Sequence, residues 1–337
     1  MEFVMAIKNS IKRTRLKGGS LSGTYLCIPE NGTPFVRKDV SLTKNREYGF
    51  QRWYSQLKRL QRYGDLFPGF FPKLIDYGRD KDLAYFNIEY IDGALTVHEF
   101  LKKTSNNHHI DEMFAQLVSV MEVMHKTNIP SCDSSFTLYV HEEIEQKIKA
   151  CMKSDRFSEF SKHSEIIFNG TKVAGLRHVL DEYTTMFKSV YKNPTETYTH
   201  GNLTLENILY HPLEKKIIFI DPYEENIIDS RVAEYSQILQ SSNSLYELYN
   251  SATPTIEGNT VSLEVFAPMG LQYFNKIFNS YMKKILSDDQ IKVVRLLEIS
   301  QFARMLPFQM ENDEDKMIFF YALGSHLFHQ FRFHRGI

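Results

Sequence analysis

The chain has 337 residues, 42% of them hydrophobic and 24% charged, with 40 Lys+Arg against 41 Asp+Glu for a formal net charge of −1. That length implies two domains or one large bilobal domain, and the apolar fraction excludes disorder over most of it. Balanced charge provides no global field for nucleic acid or an anionic membrane, so neither is an expected partner.

In chain order, residues 11–16 and 23–28 read as short strands joined by Lys17-Gly18-Gly19-Ser20, and Asn31-Gly32 is a hairpin signal leading into a third strand, Phe35-Val36-Arg37-Lys38-Asp39-Val40. A helix over 44–63 is closed by Phe67-Pro68 and Phe71-Pro72. Two further strands lie near 73–78 and 83–90, and Asp92-Gly93 turns the chain out of them. From about 95 the period becomes helical. Residues 111–126 carry Met113, Phe114, Leu117, Val120, Met121 and Met124 on a wide apolar face. Helices are also expected at 141–152, 173–191, 229–250, 262–286, 288–304 and 314–332, interrupted by a strand–loop–strand island at 197–221. The lobes divide near 91–96, giving residues 1–93 and 94–337. Cys27, Cys132 and Cys151 have no metal-ligand spacing and read as reduced thiols of a cytoplasmic protein. No apolar run approaches the roughly 20 residues of a membrane span, and the N-terminus does not read as a signal peptide.

The most specific segment is His200-Gly201-Asn202-Leu203-Thr204-Leu205-Glu206-Asn207-Ile208-Leu209, followed by Phe219-Ile220-Asp221-Pro222. It resembles the catalytic segment of the aminoglycoside phosphotransferase and choline kinase group, whose pattern is H-G-D-x-x-x-x-N and then a strand ending in I-D. The resemblance spans most of the chain. It is specific over 197–235, moderate over 11–92 and topological elsewhere. It implies an α+β, bilobal, protein-kinase-like fold. A five-stranded antiparallel sheet with one long helix forms the small lobe, and a larger, mainly helical lobe carries the catalytic hairpin.

The resemblance also implies ATP and Mg²⁺ as cofactors and a small-molecule hydroxyl as acceptor. Asn207 and Asp221 take the place of the metal ligands, since Mg²⁺ bridging phosphates needs hard oxygen donors; the plainer alternative is a turn cap and a strand end. Lys38 resembles the strand lysine that grips the α- and β-phosphates, although a one-residue change of register would exchange it with Arg37. Glu47 is the candidate carboxylate that orients this lysine, against a reading as a solvated acid. Gly18, Gly19 and Ser20 would lie over the phosphates, where glycines permit close backbone approach, or form an ordinary hairpin turn. The backbone of Glu89 and Ile91 corresponds to the hinge that pairs with adenine.

One departure stands out. The catalytic Asp of the family is Asn202 here, an amide that can orient a hydroxyl but cannot take its proton. General-base effects are worth roughly 10²–10⁴-fold, and positioning and electrostatics supply most of phosphoryl transfer. Two readings follow: a slow small-metabolite kinase, or a pseudokinase-like module that binds nucleotide or metabolite without turnover. Glu206 is a neighbouring carboxylate that could act as a surrogate base. His200 and His125 read as structural, Glu234 as the acid that braces the loop, and Asp229 as a helix N-cap. Arg304 is a candidate acceptor contact. Asp288, Asp289, Glu311, Asp313, Glu314 and Asp315 either hold a cationic acceptor or are solvated helix ends, with Asp313 or Asp315 as a cap. The acceptor, the choice between ATP and GTP, and the oligomeric state stay open.

Overall fold

The structure is a computed structural model. It describes residues 11–16, 22–43, 46–127, 135–192, 195–223 and 226–333; the side chains of residues 22, 46–49 and 52 lie outside the description. The chain divides into two compact units, Met1–Thr96 with Asn207–Glu225, and Val97–Glu206 with Asn226–Ile337.

The first unit is built on a five-stranded antiparallel sheet in the order β1-β2-β3-β5-β4. Its strands are β1 (Ile11–Arg15), β2 (Ser22–Pro29), β3 (Phe35–Ser41), β4 (Leu74–Arg79) and β5 (Leu83–Glu89). Gly32 bends the chain between β2 and β3 at φ 145°, backbone that only glycine adopts readily. One long helix, α1 (Arg46–Leu66), packs on β3 and β5. It buries Trp53, Leu57, Leu60 and Tyr63, one helical stripe, and the sheet contributes Val40, Ala84, Phe86 and Ile88 to the same core. Alternation along β3 puts Lys38 on the face of Val40 and turns Arg37 and Asp39 to the other. On that outer face Asp39 binds Arg13 and Arg37, each at 2.7 Å, and the Arg37 guanidinium lies 3.6 Å from the Tyr85 ring centroid. The register of the Arg37–Lys38 pair is thereby settled.

The segment Asn207–Glu225 groups with this unit, whereas its place in the sequence assigns it to the helical lobe. The reason is backbone pairing. Strand β6 (Leu95–Thr96) pairs with β9 (Ile208–His211), which pairs with β10 (Lys216–Phe219). Phe219 donates its N–H to Phe70 O at 2.7 Å, and its ring meets Phe71 edge-on at 5.9 Å.

The second unit is mainly helical: α2 (Val97–Lys103), α3 (Asn107–His125), α4 (Ser135–Tyr139), a π-helical turn Val140–Glu145, α5 (Gln146–Cys151), α6 (Asp155–Phe160) and α7 (Leu180–Val190), then α8 (Arg231–Ser242), α9 (Tyr246–Ser251), α10 (Met269–Ile285), α11 (Asp288–Asn312) and α12 (Glu314–Phe333). Helices α8, α11 and α12 form its centre, and α8 is buried on every side from Val232 to Ser242.

Four expectations change; the first is that 229–250 is two helices, α8 and α9, parted at Leu245 in left-handed backbone, φ 54°. The segment 173–191 does not start as helix, because residues 171–174 are strand β8, paired with β7 (Glu165–Phe168). Asn169-Gly170, at φ 46° and 79°, is a two-residue hairpin turn. Likewise Gly258-Asn259 joins β11 (Thr255–Glu257) to β12 (Thr260–Ser262), so the next helix begins only at Met269. These four strands form a sheet of their own, β11-β12-β7-β8, with β12 parallel to β7. Finally, α11 does not stop near Arg304 but runs through Pro307 to Asn312. A proline removes one helical hydrogen bond; burial of Phe302, Ala303, Leu306 and Gln309 holds the helix across it.

Candidate active site

In the first unit, Lys38 meets Asp221. Their charged atoms lie 2.7 Å apart, with side chains 9% and 31% exposed. Lys38 is presented by β3 on the side covered by α1, and Gln56 of α1 donates to Asp221 Oδ1 at 3.5 Å. Asp221 follows β10 in left-handed backbone, φ 58°. Asp is one of the few non-glycine residues that adopts this region readily, as a single residue. Ile220, the preceding residue, donates its N–H to Asn207 O at 2.9 Å. The two expected metal ligands are therefore fixed at the two ends of one hairpin.

In the second unit, residues 197–206 hang on α8. Glu234, 1% exposed, accepts the His200 N–H at 2.5 Å and pairs with His125. Gln237 donates to Gly201 O at 2.8 Å and accepts from the Leu203 N–H at 2.7 Å. Ser241 accepts from the Leu205 N–H at 3.0 Å and donates to Glu247, which lies 4.0 Å from His98. Within the loop, the Asn202 N–H donates to His200 Nδ1 at 3.2 Å, and Asn202 O accepts from the Thr204 N–H at 2.9 Å. Gly201 turns at φ 84°. Gly201, Leu203, Thr204 and Leu205 are buried, and Asn202 among them is exposed. Glu234 thus occupies the bracing position expected from the sequence. The N-cap of α8 is Ser230, not Asp229. Asp229 instead accepts from Thr199 Oγ1 and from Asn226, at 2.5 and 3.1 Å, and its carbonyl accepts the Thr197 N–H.

Other expected residues are placed as follows. Gly18, Gly19 and Ser20 lie outside the described residues, as does the side chain of Glu47 in α1. The Glu89 N–H donates to Lys73 O at 2.9 Å, its carboxylate accepts the Lys73 N–H at 3.2 Å, and Ile91 O accepts from Ala94 at 3.4 Å. Arg304 is ion-paired with Glu143 of the π-helical turn at 2.9 Å and donates to Gln301 at 3.0 Å. Gln301 in turn donates to Ser236 of α8 at 3.2 Å. Beside Arg304, burial pushes the Tyr139 phenol up. Of the C-terminal acids, Asp288 and Asp289 fill the first turn of α11, which Ser287 and Gln290 close as a capping box, and Asp313 accepts the N–H groups opening α12. Sequence reasoning missed Gln56, Gln237, Ser241 and Glu247. The only signal for the α8 residues was their spacing with Glu234 at i, i+3 and i+7.

Among the described residues no group of three His, Cys, Asp or Glu side chains could hold a metal ion by itself. Asp221 and Asn207 offer one carboxylate and one amide. That donor set fits Mg²⁺, which keeps waters and phosphate oxygens in most of its positions. No helix among the described residues is long and apolar enough to cross a membrane.

No family model matches the chain, and no curated protein matches its sequence. Solved structures do. The "Putative fructosamine-3-kinase" from Haemophilus somnus 129PT aligns over 94% of this chain and 91% of its own, with a TM-score of 0.57 at 13% identity. An aminoglycoside-3'-phosphotransferase of type VIII aligns over 86% and 93%, with a TM-score of 0.48 at 16% identity. With the five-stranded antiparallel sheet and the mainly helical second unit, the first of these likenesses gives the chain a kinase-like α+β fold.

Proposed function

We propose that the protein is a phosphotransferase that moves the γ-phosphoryl group of ATP to a hydroxyl of a small metabolite, with Mg²⁺. The observation that carries this reading is the Lys38–Asp221 pair at 2.7 Å in a chain of kinase-like fold with an H-G-N-x-x-x-x-N segment. In this reading Lys38 holds the α- and β-phosphates, with Glu47 orienting it. Gly18, Gly19 and Ser20 lie over the phosphates, and the backbone of Glu89 and Ile91 takes the adenine. Asn207 and Asp221 bind the Mg²⁺, which supplies charge neutralisation for the transferring phosphoryl group. Asn202 orients the acceptor hydroxyl, and Arg304 lies along the acceptor side. The acceptor class is a polyhydroxylated sugar, amino sugar or amino alcohol. The name of the first structural neighbour makes a fructosamine the first to test. The free thiols Cys27 and Cys151 support a reducing, cytoplasmic location.

A second reading, a nucleotide- or metabolite-binding module without turnover, is favoured by Asn202 itself, since an amide accepts no proton. Thermal unfolding with ATP, Mg²⁺, both and neither tests the common part of the two. Saturation at a hundred times Kd raises stability by about 2.7 kcal/mol. A rise that requires both components is the expected result; no shift with any combination overturns the kinase reading and leaves a module that binds something other than nucleotide. Asn202→Asp then separates them. Comparable phosphoryl transfer by both forms supports the enzyme, and transfer by the variant alone supports the binding module.

A further inference from the structure

We infer that Gln237 is a positioning residue for Asn202, fixing through one side-chain amide the direction in which the Asn202 side chain leaves the loop. This rests on the proposed role of Asn202 and assigns that role a second residue.

The argument starts from the backbone. A residue has two soft dihedrals, so its Cα–Cβ direction is set once the two flanking peptide planes are fixed. Gly201 O and Asn202 N–H belong to the plane before Asn202; Asn202 O and Leu203 N–H belong to the plane after it. All four groups are engaged. Asn202 N–H and O are bonded within the loop, to His200 Nδ1 and the Thr204 N–H. The other two, Gly201 O and Leu203 N–H, both go to Gln237, at 2.8 and 2.7 Å. One side chain therefore holds each plane by one bond.

Gln237 is 4% exposed, on a helix buried on every side, so water is a poor substitute for either bond. The task demands one donor and one acceptor at the reach of a glutamine. An ionised Glu lacks the donor and sets a carboxylate against the Gly201 carbonyl; Met lacks both; Asn is one methylene short.

The test uses the full chain and MgATP alone, with water as acceptor and ADP release as readout. Gln237→Glu is the informative variant. Its introduced carboxyl is buried and faces a carbonyl, so its pKa is raised, and the protonated form again offers one donor and one acceptor. Relative to wild type at the same pH, ADP release by Gln237→Glu should fall by about 10²-fold, the cost of slight misplacement at a reacting centre. The deficit should shrink as pH drops from about 9 to about 6 through the raised pKa. Gln237→Met should show the deficit at every pH. The Kd for MgATP, which reports Lys38 and Asp221, should stay within about 2-fold of wild type, well inside a tenfold, 1.4 kcal/mol change.

A purely structural role would lower stability and weaken MgATP binding in both variants alike, without the pH-dependent recovery, and that outcome overturns the inference. So does Gln237→Glu matching wild type throughout, with wild-type binding and turnover intact, which leaves the reading of the site standing. A wild type that neither binds MgATP nor releases ADP overturns the reading of the site, and the role of Gln237 falls with it.

Discussion

The segments 197–206 and 207–221 are consecutive in sequence and are built in opposite ways. The hairpin 207–221 satisfies its backbone by a strand ladder and secures it with Ile217, Ile218 and Phe219, all buried. Its chemistry sits at one end, on a carboxylate 31% exposed. The loop 197–206 has no ladder. Its buried N–H groups at His200, Leu203 and Leu205 go to Glu234, Gln237 and Ser241 of α8. A buried N–H without a partner costs about 1–3 kcal/mol, so irregular backbone can be buried only where another element supplies polar side chains. Apolar contacts shape the hairpin; polar ones shape the loop.

This contrast breaks most severely at Glu234. Glu234→Ala removes the partner of both His125 and the His200 N–H inside the second unit. Each buried donor left without its acceptor costs about 1–3 kcal/mol and two lose theirs here, so urea unfolding should show stability lowered by about 2–6 kcal/mol, whereas a midpoint within error of wild type would contradict the brace. On the hairpin side, Lys38→Met should abolish the stabilisation by MgATP, about 2.7 kcal/mol at a hundred times Kd. The unliganded chain should change by only about 0–1 kcal/mol, because Asp221 is partly solvated; calorimetry with and without MgATP reads both quantities. Ser241→Ala leaves the Leu205 N–H and Glu247 without their shared hydroxyl and should cost about 1–3 kcal/mol, with faster hydrogen exchange at Leu205 than at Ile218 as the local signature.

The last effect is alkaline. Burial raises the phenol of Tyr235, whose ring lies 5.7 Å from that of His125, and that of Tyr321, which is pushed up to about 12. For a raised phenol the folded state favours the neutral form, so the stabilisation is whole below the unfolded value of 10.0 and is lost as pH rises from there toward 12. Each tenfold weakening of a phenol as an acid on folding is worth about 1.4 kcal/mol. Tyrosinate absorbance and helical circular dichroism should therefore change together above that range. Titration of all tyrosines near pH 10 in the folded chain would remove the prediction.

The same contrast explains what could be read in advance. Period-two patterns, the glycine turn at 32 and the apolar run ending at Asp221 made the first sheet and the hairpin visible. The H-G-x and I-D landmarks located Asp221, and strand alternation set Lys38 apart from Arg37. Of the loop supports, Glu234 was legible through the family resemblance; Gln237 and Ser241 were not, because in sequence they look like the solvated stripe of an ordinary helix, and only a helix buried on all sides makes them interior partners. Asn169-Gly170 and Gly258-Asn259 lie in the gaps between the expected helices, and the strands they join are only three or four residues long, too short for a period-two pattern to stand out. Ser230 capped α8 in place of Asp229 because the Asp229 carboxylate had nearer donors in Thr199 and Asn226.

The Lys38–Asp221 contact also bears on the order in which charges arrive. Without nucleotide, the ammonium and the carboxylate neutralise each other at 2.7 Å. A divalent cation arriving alone must compete with Lys38 for Asp221, and a triphosphate arriving alone must draw Lys38 away from it. In the proposed function, the two arriving together exchange one ion pair for two: metal with Asp221, and phosphate with Lys38. Each ligand then removes the competitor of the other, so metal and nucleotide should bind with positive thermodynamic coupling, and by reciprocity each should tighten the other by the same factor. Lys38→Met removes the shared lock. Mg²⁺ affinity measured without nucleotide should rise in that variant, even as affinity for the nucleotide falls.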